Sequence, residues 1–212
     1  LSCLLHLQRN EAGAVDGKDP EYVHQARVAI RRLRSAFKVF SPVLFSDFVE
    51  VYAPRWGDLA SRLGGARDWD VFIAETLVPL EQAFPGDPDL ARLRARSEAI
   101  QAKAQASAGV ALTQREYSEL LLAFTAALFR ERPPTIEAPK AWSGGSRRKF
   151  AARRLQRRAR LIGRLAGEHG KMDAARRHQL RIAFKKLRYA LECFAPILAL
   201  KRLAAYQSSL SA

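Results

Sequence analysis

Residues 23–44 read VHQARVAIRRLRSAFKVFSPVL, and residues 177–198 read RHQLRIAFKKLRYALECFAPIL. Aligned at an offset of 154, the two segments share ten identities in 22 positions, including His24 with His178 and Pro42 with Pro196. Because composition alone does not produce such agreement, we interpret it as an internal duplication. A duplication predicts two similar helical bundles related by a pseudo-twofold axis.

Each segment separates into two faces when it is placed on an α-helix at about 100° per residue. Ile30, Leu33 and Phe37 share one side with several alanines, which predicts that this side packs into a bundle. The opposite side is a stripe of cations, called here the basic face. Its members are His24, Arg27, Arg31, Arg34 and Lys38 in the first segment, and His178, Arg181, Lys185 and Arg188 in the second.

The two basic faces contain almost no acids, so ion pairs at i,i+4 spacing do not balance them. Clustered cations repel one another, which costs stability unless an anion is bound. A solvated surface is the ordinary explanation for one such helix, but its recurrence favours an anion-binding function. The whole chain points the same way, since its 212 residues carry a formal net charge of +15.

That charge indicates a polyanionic partner, which is a nucleic acid, an anionic membrane surface or a phosphate polymer. Two cysteines do not make a disulfide framework, so we expect a reducing, cytoplasmic location. The longest apolar run is too short to span a bilayer, and we expect no membrane span.

Helical periodicity dominates the chain, and the predicted fold class is all-α. Asp19 and Asp173 are predicted helix N-caps, and the prolines at 42 and 196 are predicted to end the same helices. Residues 132–146 are the predicted linker between a first helical half, about 1–131, and a second, about 147–212. The predicted helices cover 1–12, 20–41, 47–64, 68–83, 88–108, 112–131, 147–168, 174–195 and 199–211.

A third basic segment, residues 147–164, contains nine cations and no acid. Arg154 and Arg158 fall within its apolar stripe, so they are expected to point inward beside the basic faces. Arg157 lies on the flank with Arg153, Arg160 and Arg164, and for this flank an exposed basic helix is an equally good explanation.

The stretch SRLGGARDWDVF, residues 61–72, contains a glycine break followed by an arginine and an acid. Asp68 is predicted to cap a helix that begins there. Arg67 is expected either to reach a bound anion or to hold the loop.

Signatures of catalysis are absent from the sequence. It has no P-loop, no HExxH and no cysteine–histidine metal set. Asp68 and Asp70 are the only carboxylates near the basic faces that we can name as metal ligands, and both are better explained as structural. The sequence therefore predicts a binding protein with no catalytic residues, no metal and no cofactor. Cations around the histidines are expected to disfavour their protonation.

VHQARVAIRRLRS and RHQLRIAFKKLRYALE, with GGARDWDV downstream of the first, resemble the two signature regions of the CHAD family (conserved histidine α-helical domain). The resemblance implies two helical bundles around a basic groove or pore that binds inorganic polyphosphate, with some members on polyphosphate granules. It implies these ligands: His24, Arg27, Arg31, Arg32, Arg34, His178, Arg181, Lys185, Lys186 and Arg188. Lys38 joins them on helical geometry alone, and Arg67, Arg154, Arg157 and Arg158 are further candidates.

Some CHAD proteins are fused to a triphosphate-tunnel enzyme domain, which this sequence does not contain. The second copy stops just after YQSSL, so we expect either a trimmed end or a smaller second bundle. The leading hypothesis is non-enzymatic polyphosphate binding. The alternatives are a nucleic-acid-binding protein, an enzyme of phosphate transfer or an accessory domain of one, and a protein of anionic membrane surfaces.

Overall fold

The structure is a computed structural model that describes residues 1–130, 147–167, 173–195 and 197–198. Of these residues 89% are helical, and none of them forms a strand, which agrees with the predicted all-α class. The predicted linker at 132–146 and the predicted helix at 199–211 lie outside the described residues. The helices are α1 Ser2–Asp16, α2 Pro20–Phe40, α3 Ser46–Arg62, α4 Gly64–Phe72, α5 Val78–Ala83, α6 Pro88–Thr113, α7 Arg115–Phe129, α8 Arg147–Gly167 and α9 Ala174–Phe194.

The two helices that carry the basic faces have matching bounds. α2 and α9 each contain 21 residues, and both of their ends are related by the offset of 154 at which the sequences align. Their N-termini are also alike, because Asp19 accepts a hydrogen bond from the Glu21 amide at 2.8 Å and Asp173 accepts one from the Arg176 amide at 2.7 Å. The predicted caps are therefore confirmed, and the matching bounds are those that a duplication predicts.

The C-terminal turns of α2 and α9 make the same backbone hydrogen bonds. The Phe40 carbonyl accepts from the amides of Val43 and Leu44 at 2.8 and 3.0 Å. The Phe194 carbonyl accepts from the amides of residues 197 and 198 at 2.9 and 3.1 Å. Proline at 42 cannot continue the first helix, so the chain closes into this turn instead.

Four predicted helix boundaries are wrong by three or more residues, and one of them is the start of α7, which lies at Arg115 and not at residue 112. α1 continues to Asp16, where Gly17 ends it in the left-handed conformation at φ 71°, and α6 continues to Thr113. The predicted helix at 68–83 begins at Gly64, so Asp68 lies inside α4 and is not its N-cap. Helical structure here is interrupted only at Leu63, just before the glycine pair. The Leu63 side chain is fully buried and anchors the junction of α3 and α4.

A π-helical turn, Ile73–Leu77, joins α4 to α5. Pro79 lies two residues after its end and has no amide hydrogen to donate to the residue four positions earlier. Its ring would also collide with that carbonyl in a regular α-helix, so the chain widens locally into a π-turn. The pattern of apolar residues continues across this turn, which is why it predicts one helix there.

The chain divides into two compact units. The first comprises residues 1–34 and 47–131, and its core is built by fully buried side chains from α1, α2, α3 and the α4–α5 region. The largest of these are Leu7, Val23, Ile30, Trp56, Leu63 and Leu77. Along α2, the buried residues Ala26, Ala29, Ile30 and Phe37 lie on the side of the helix that was predicted to pack inward, and Phe37 belongs to the second unit.

The second unit comprises residues 35–46 and 132–212, so it includes the C-terminal end of α2. Its core contains Val39 of α2, Phe150 of α8 and Phe194 of α9. Phe40 and Phe194, which are equivalent residues of the two repeated segments, meet edge to face with their ring centroids 5.3 Å apart. Such aromatic contacts stabilise the core beyond simple burial.

Candidate anion-binding site

The basic face of α2 lines an open cavity in the first unit. The cavity holds about 380 Å³. Three arginines of α2 form one wall, and the junction of α3 and α4 forms the other. The residues that line it are Arg27, Arg31, Arg34, Ala60, Ser61, Gly64, Gly65 and Asp68. A Cβ added at Gly64 or Gly65 would meet no atom within 4 Å, so the glycines leave the second wall bare.

Arg27 connects the two walls of the cavity. Its Nη1 donates a hydrogen bond to the Gly64 carbonyl at 2.8 Å and lies 3.6 Å from Oδ1 of Asp68. The Asp68 side chain is 79% exposed, so this ion pair is weak and open to exchange. Arg27 therefore has a structural role as well as a place in the cavity, whereas Arg31 and Arg34 are exposed.

His24 extends the cluster toward α4. Burial lowers the pKa of its imidazole below the ordinary value, and the neighbouring cation Arg67 lowers it further. Arg31 and Arg27 contribute smaller effects in the same direction, while Glu21 opposes them. The direction agrees with the predicted suppression of protonation at His24, although burial contributes more than the neighbouring cations on which the prediction rested. Because Arg67 acts on His24, it belongs with the basic face of α2.

The basic face of α9 is more open to solvent. His178, Arg181 and Lys185 are exposed. Arg188 is half-buried because its guanidinium lies 5.2 Å from the centre of the Tyr189 ring and its Nε lies 3.9 Å from Oε1 of Glu192. Glu192 aligns with Lys38 of the first segment, where a cation stands in place of the acid. The Arg188–Glu192 ion pair therefore has no equivalent in α2.

Arg32 and Lys186 stand apart from the basic faces. Each follows a face residue by one position, which turns it by about 100° around the helix. Arg32 is half-buried and does not line the cavity described above. Lys186 is exposed. Eight of the ten ligands that the family resemblance implies therefore lie on the two basic faces, as does Lys38. The other two, Arg32 and Lys186, lie beside the faces.

Arg154 and Arg158 of α8 point inward, but toward backbone. Arg154 donates through Nε to the Val39 carbonyl at 3.0 Å and through Nη2 to the Lys38 carbonyl at 2.7 Å. Arg158 donates to the Arg154 carbonyl at 3.2 Å. Burial lowers the pKa of both guanidinium groups. The carbonyls of the last helical turn have no partner within their own helix, so Arg154 satisfies the end of α2.

Carboxylates do not assemble into a metal centre in the part of the chain that the structure describes. Asp70 is buried in the first unit, where it accepts hydrogen bonds from Nε2 of Gln101 at 2.8 Å and of Gln105 at 3.1 Å. Its role there is to join α4 to α6. Asp68 is the one acid among the residues that line the cavity. No helix among the described residues is long and apolar enough to cross a membrane.

Sequence reasoning missed the second wall of the cavity. Ser61 and the two glycines line it, although the glycine pair was interpreted only as a helix break. The sequence carried one usable signal, because two adjacent glycines leave room for a ligand beside the backbone. The partner of that wall, Arg27, lies 37 positions earlier in the chain.

Two solved structures share this fold. The crystal structure of the CHAD domain from the plant Ricinus communis is 32% identical, with a TM-score of 0.74, and the match covers 99% of this chain and 67% of that one. PptA from Streptomyces chartreusis matches at 17% identity and a TM-score of 0.62, over 99% of this chain and 79% of that one. The second likeness shows the fold alone.

A comparison with curated protein sequences gives no match. The family model described as the CHAD domain, however, matches residues 1–212, the full length of the sequence. The doubled histidine–arginine segments, the all-helical fold and this match agree, and the chain belongs to the CHAD family.

Proposed function

We propose that this chain binds inorganic polyphosphate, without catalysis, through the basic faces of α2 and α9. The observation that carries the proposal is the cavity in which Arg27, Arg31 and Arg34 oppose bare glycine backbone. Guanidinium groups hold phosphate oxygens through paired hydrogen bonds, and lysine adds a point charge. An anion in the cavity would relieve the repulsion among these cations and with Arg67.

A phosphate polymer suits these faces because it offers charge and oxygen acceptors and nothing else. Each described side chain of the faces is a donor or a cation. Of the aromatic residues of α9, Tyr189 and Phe194 are buried, and only Phe184 is exposed, by 38%. Single-strand nucleic-acid binders instead place aromatic rings for the bases to stack on. Whether both faces line one groove, and whether the chain is found on polyphosphate granules, stay predictions.

The proposal assigns no hydrolysis to this chain. Phosphoryl transfer needs carboxylates that hold metal ions next to the phosphate. In the described part of the chain, Asp70 is engaged with two glutamines and Asp68 pairs with Arg27. A phosphate-release assay with long-chain polyphosphate and Mg²⁺ should therefore give no turnover, and sustained turnover would refute this part of the proposal.

Titration calorimetry with long-chain polyphosphate tests the binding faces. The test variant combines Arg34→Glu with Lys185→Glu, because both side chains are exposed and make no hydrogen bond that the fold needs. The control combines Arg96→Glu with Lys103→Glu, which are exposed on α6 and change the net charge equally. We expect the test variant to lose at least tenfold in affinity and the control to lose much less.

Single substitutions extend this test. If one polymer contacts both faces, Arg34→Glu and Lys185→Glu should each weaken the same binding event, and their effects should not simply add. Equal affinities in the test variant and the control would mean that the faces are ordinary basic surface, and the proposal would fall.

A further inference from the structure

A row of arginines on α8 plays no part in the function proposed above. Its members are Arg153, Arg157, Arg160 and Arg164, and we call them the arginine row. Their spacing of four, three and four residues places them on one stripe of the helix, and all are exposed. Ala151 and Ile162 are buried in the second unit, on the opposite side of α8. The row is therefore directed away from the core.

The charge of this row is not balanced locally. α8 contains no acid between Arg147 and Gly167. Among the described residues, none of the four arginines forms an ion pair. Burial is the main cause of the lowered pKa of Arg154 and Arg158, and the neighbouring charge of Arg157 lowers both further. A row of cations without acids is disfavoured by self-repulsion unless an anion covers it.

The first turn of α8 adds a second, independent indication. Arg147, Arg148 and Lys149 occupy it without any acid. The helix dipole is positive at this end, so cations there reduce helix stability and acids would increase it. Both the first turn and the outer face of α8 therefore carry positive charge at the expense of helix stability. Such a distribution of charge is expected where the helix binds a large polyanion.

We propose that the arginine row is a second anion-binding surface, separate from the basic faces of α2 and α9, and that its ligand is the phosphodiester backbone of duplex nucleic acid. Each guanidinium can donate two hydrogen bonds to one phosphate. Phosphate contacts of this kind position a protein on a duplex without reading its sequence, so binding is insensitive to base sequence.

The shape of the surface favours a broad, rigid ligand. Arg157, Arg160 and Arg164 line a wide, open depression with Gly163. From Arg153 to Arg164 the row extends about 16 Å along one side of the helix. A ligand held from one side alone must keep its own shape. A duplex does so and carries about one charge per 1.7 Å, whereas a flexible polyphosphate chain would lose conformational entropy on the same contacts.

Two other ligand classes fit this surface less well. A helix that lies in a membrane interface presents apolar side chains to the lipid, whereas the outer side of α8 places Gln156 and Gly163 beside the arginines. Single-stranded nucleic acid calls for exposed aromatic rings, and the one aromatic residue of α8, Phe150, is buried. A duplex needs neither feature.

Fluorescence anisotropy with a short mixed-sequence DNA duplex tests this proposal, and an RNA duplex of the same sequence distinguishes the two sources. The row variant carries Arg153→Gln, Arg157→Gln, Arg160→Gln and Arg164→Gln. The control carries Arg9→Gln, Arg96→Gln, Lys103→Gln and Arg130→Gln, which are all exposed and remove the same charge. The affinity is measured at several salt concentrations, because each lost phosphate contact reduces the slope of log K against log salt by about 0.9.

We expect the row variant to lower this slope by about 3–4 and the duplex affinity at least tenfold at ~0.1 M salt, with the control close to the parent chain. A row variant that keeps Arg157, a candidate polyphosphate ligand, should retain the polyphosphate affinity of the parent chain, and the Arg34→Glu, Lys185→Glu variant should keep duplex binding. Circular dichroism checks folding, and if the row variant is unfolded, Arg157→Gln with Arg160→Gln should still lower the slope by about 2.

Three results would overturn the proposal. The first is a parent chain that does not bind the duplex at ~0.1 M salt. The second is a row variant that binds duplex no worse than the control. The third is a parallel loss of polyphosphate and duplex binding in the row variant that keeps Arg157, which would make the row part of the polyphosphate site. A failure of polyphosphate binding itself leaves the duplex measurements unaffected, so the two proposals fail separately.

Discussion

His24 is the residue whose charge the α2 site controls most directly. Burial and the surrounding cations hold the pKa of its imidazole below the ordinary value, which favours the neutral ring in the unbound chain. A phosphate placed among the same cations would cancel their field and accept a hydrogen bond from the charged ring. Anion binding should therefore be coupled to proton uptake at His24.

This coupling predicts that polyphosphate affinity rises severalfold as the pH falls from about 7.5 to 5.5, through the ordinary range of histidine. His24→Gln should flatten the dependence, and calorimetry in buffers of different ionisation enthalpy should show fewer protons taken up. NMR titration of His24 should show its pKa rising on addition of polyphosphate. An unchanged pKa in the complex would contradict the assignment.

The same shift has the opposite effect on the stability of the unbound chain. Between the lowered pKa of folded His24 and the unfolded value of about 6.5, the unfolded chain binds more protons. The contribution of His24 to the free energy of unfolding is therefore largest above that window and is lost as the pH falls through it. His24→Gln should remove this part of the pH dependence.

Asp68 competes with a bound anion for Arg27. Its carboxylate lines the cavity 3.6 Å from the Arg27 guanidinium, and it is the one acid in that lining. Asp68→Asn should therefore raise polyphosphate affinity severalfold in calorimetry, because it removes negative charge and keeps the shape. If Asp68 instead held a catalytic metal, the variant would lose a Mg²⁺-dependent phosphate release that the parent chain shows.

The residues of the site were only partly predictable. The basic faces follow from helical periodicity, because their members lie within a few turns of one helix. The lowered pKa of His24 depends mainly on burial and on Arg67 of α4, which α2 alone does not reveal. Asp68 was wrongly interpreted as an N-cap because the glycine pair looked like the end of a helix. The contact that explains it, from Arg27 to the Gly64 carbonyl, joins residues that are distant in sequence and leaves no local pattern.

At the scale of the helices, Arg154 completes the C-terminal end of α2. Its two hydrogen bonds to the Lys38 and Val39 carbonyls satisfy groups that a helix end leaves without partners. Arg154→Gln should therefore lower the free energy of unfolding by about 1–2 kcal/mol. Chemical denaturation measures this cost. Polyphosphate affinity should change no more than in Arg148→Gln, an exposed charge-matched control on α8.

A large specific loss of polyphosphate affinity in Arg154→Gln, with unchanged stability, would assign this arginine to the ligand instead. The structural role also explains why Arg154 interrupts the apolar stripe of α8. An arginine there can reach the end of α2 while the side chains around it fill the core of the second unit.

Gly13 allows α1 and α2 to pack closely. A Cβ at this position would lie 2.2 Å from Cγ of Tyr22, a ring atom held close to the backbone. Gly13→Ala should destabilise the chain by about 1–3 kcal/mol through overpacking. In a Tyr22→Ala background the same change should stabilise it by up to about 1 kcal/mol, because alanine is the better helix former. Equal effects in both backgrounds would contradict the packing argument.

The helices were predicted best where their ends depend on local chemistry. The predicted bounds of α2 and α9 agree with the structure to within one residue, because an aspartate cap at one end and a proline after the other act locally. The end of α6 was misplaced by five positions, since no proline or glycine cap marks it. The π-turn before Pro79 depends on a backbone collision that apolar periodicity does not register.

For the whole molecule, the net charge of +15 favours the binding of any polyanion. Cations are distributed over α2, α8 and α9, and the described acids lie mainly elsewhere, for example in the pair between Arg94 and Glu81. Long polyanions should therefore bind with a steep dependence on salt, because they release condensed counterions. Charge alone makes every polyanion a ligand at low salt, so only comparison at higher salt reports on a specific site.

Polyphosphate therefore has to be compared with another polyanion on the intact chain. Titration calorimetry at about 0.15 M salt, with long-chain polyphosphate and with single-stranded DNA of matched total charge, tests the central claim most directly. The account predicts that polyphosphate binds at least tenfold more tightly, because the two basic faces consist of cations and hydrogen-bond donors and not of aromatic rings on which bases stack. Equal affinity for both polymers would contradict it.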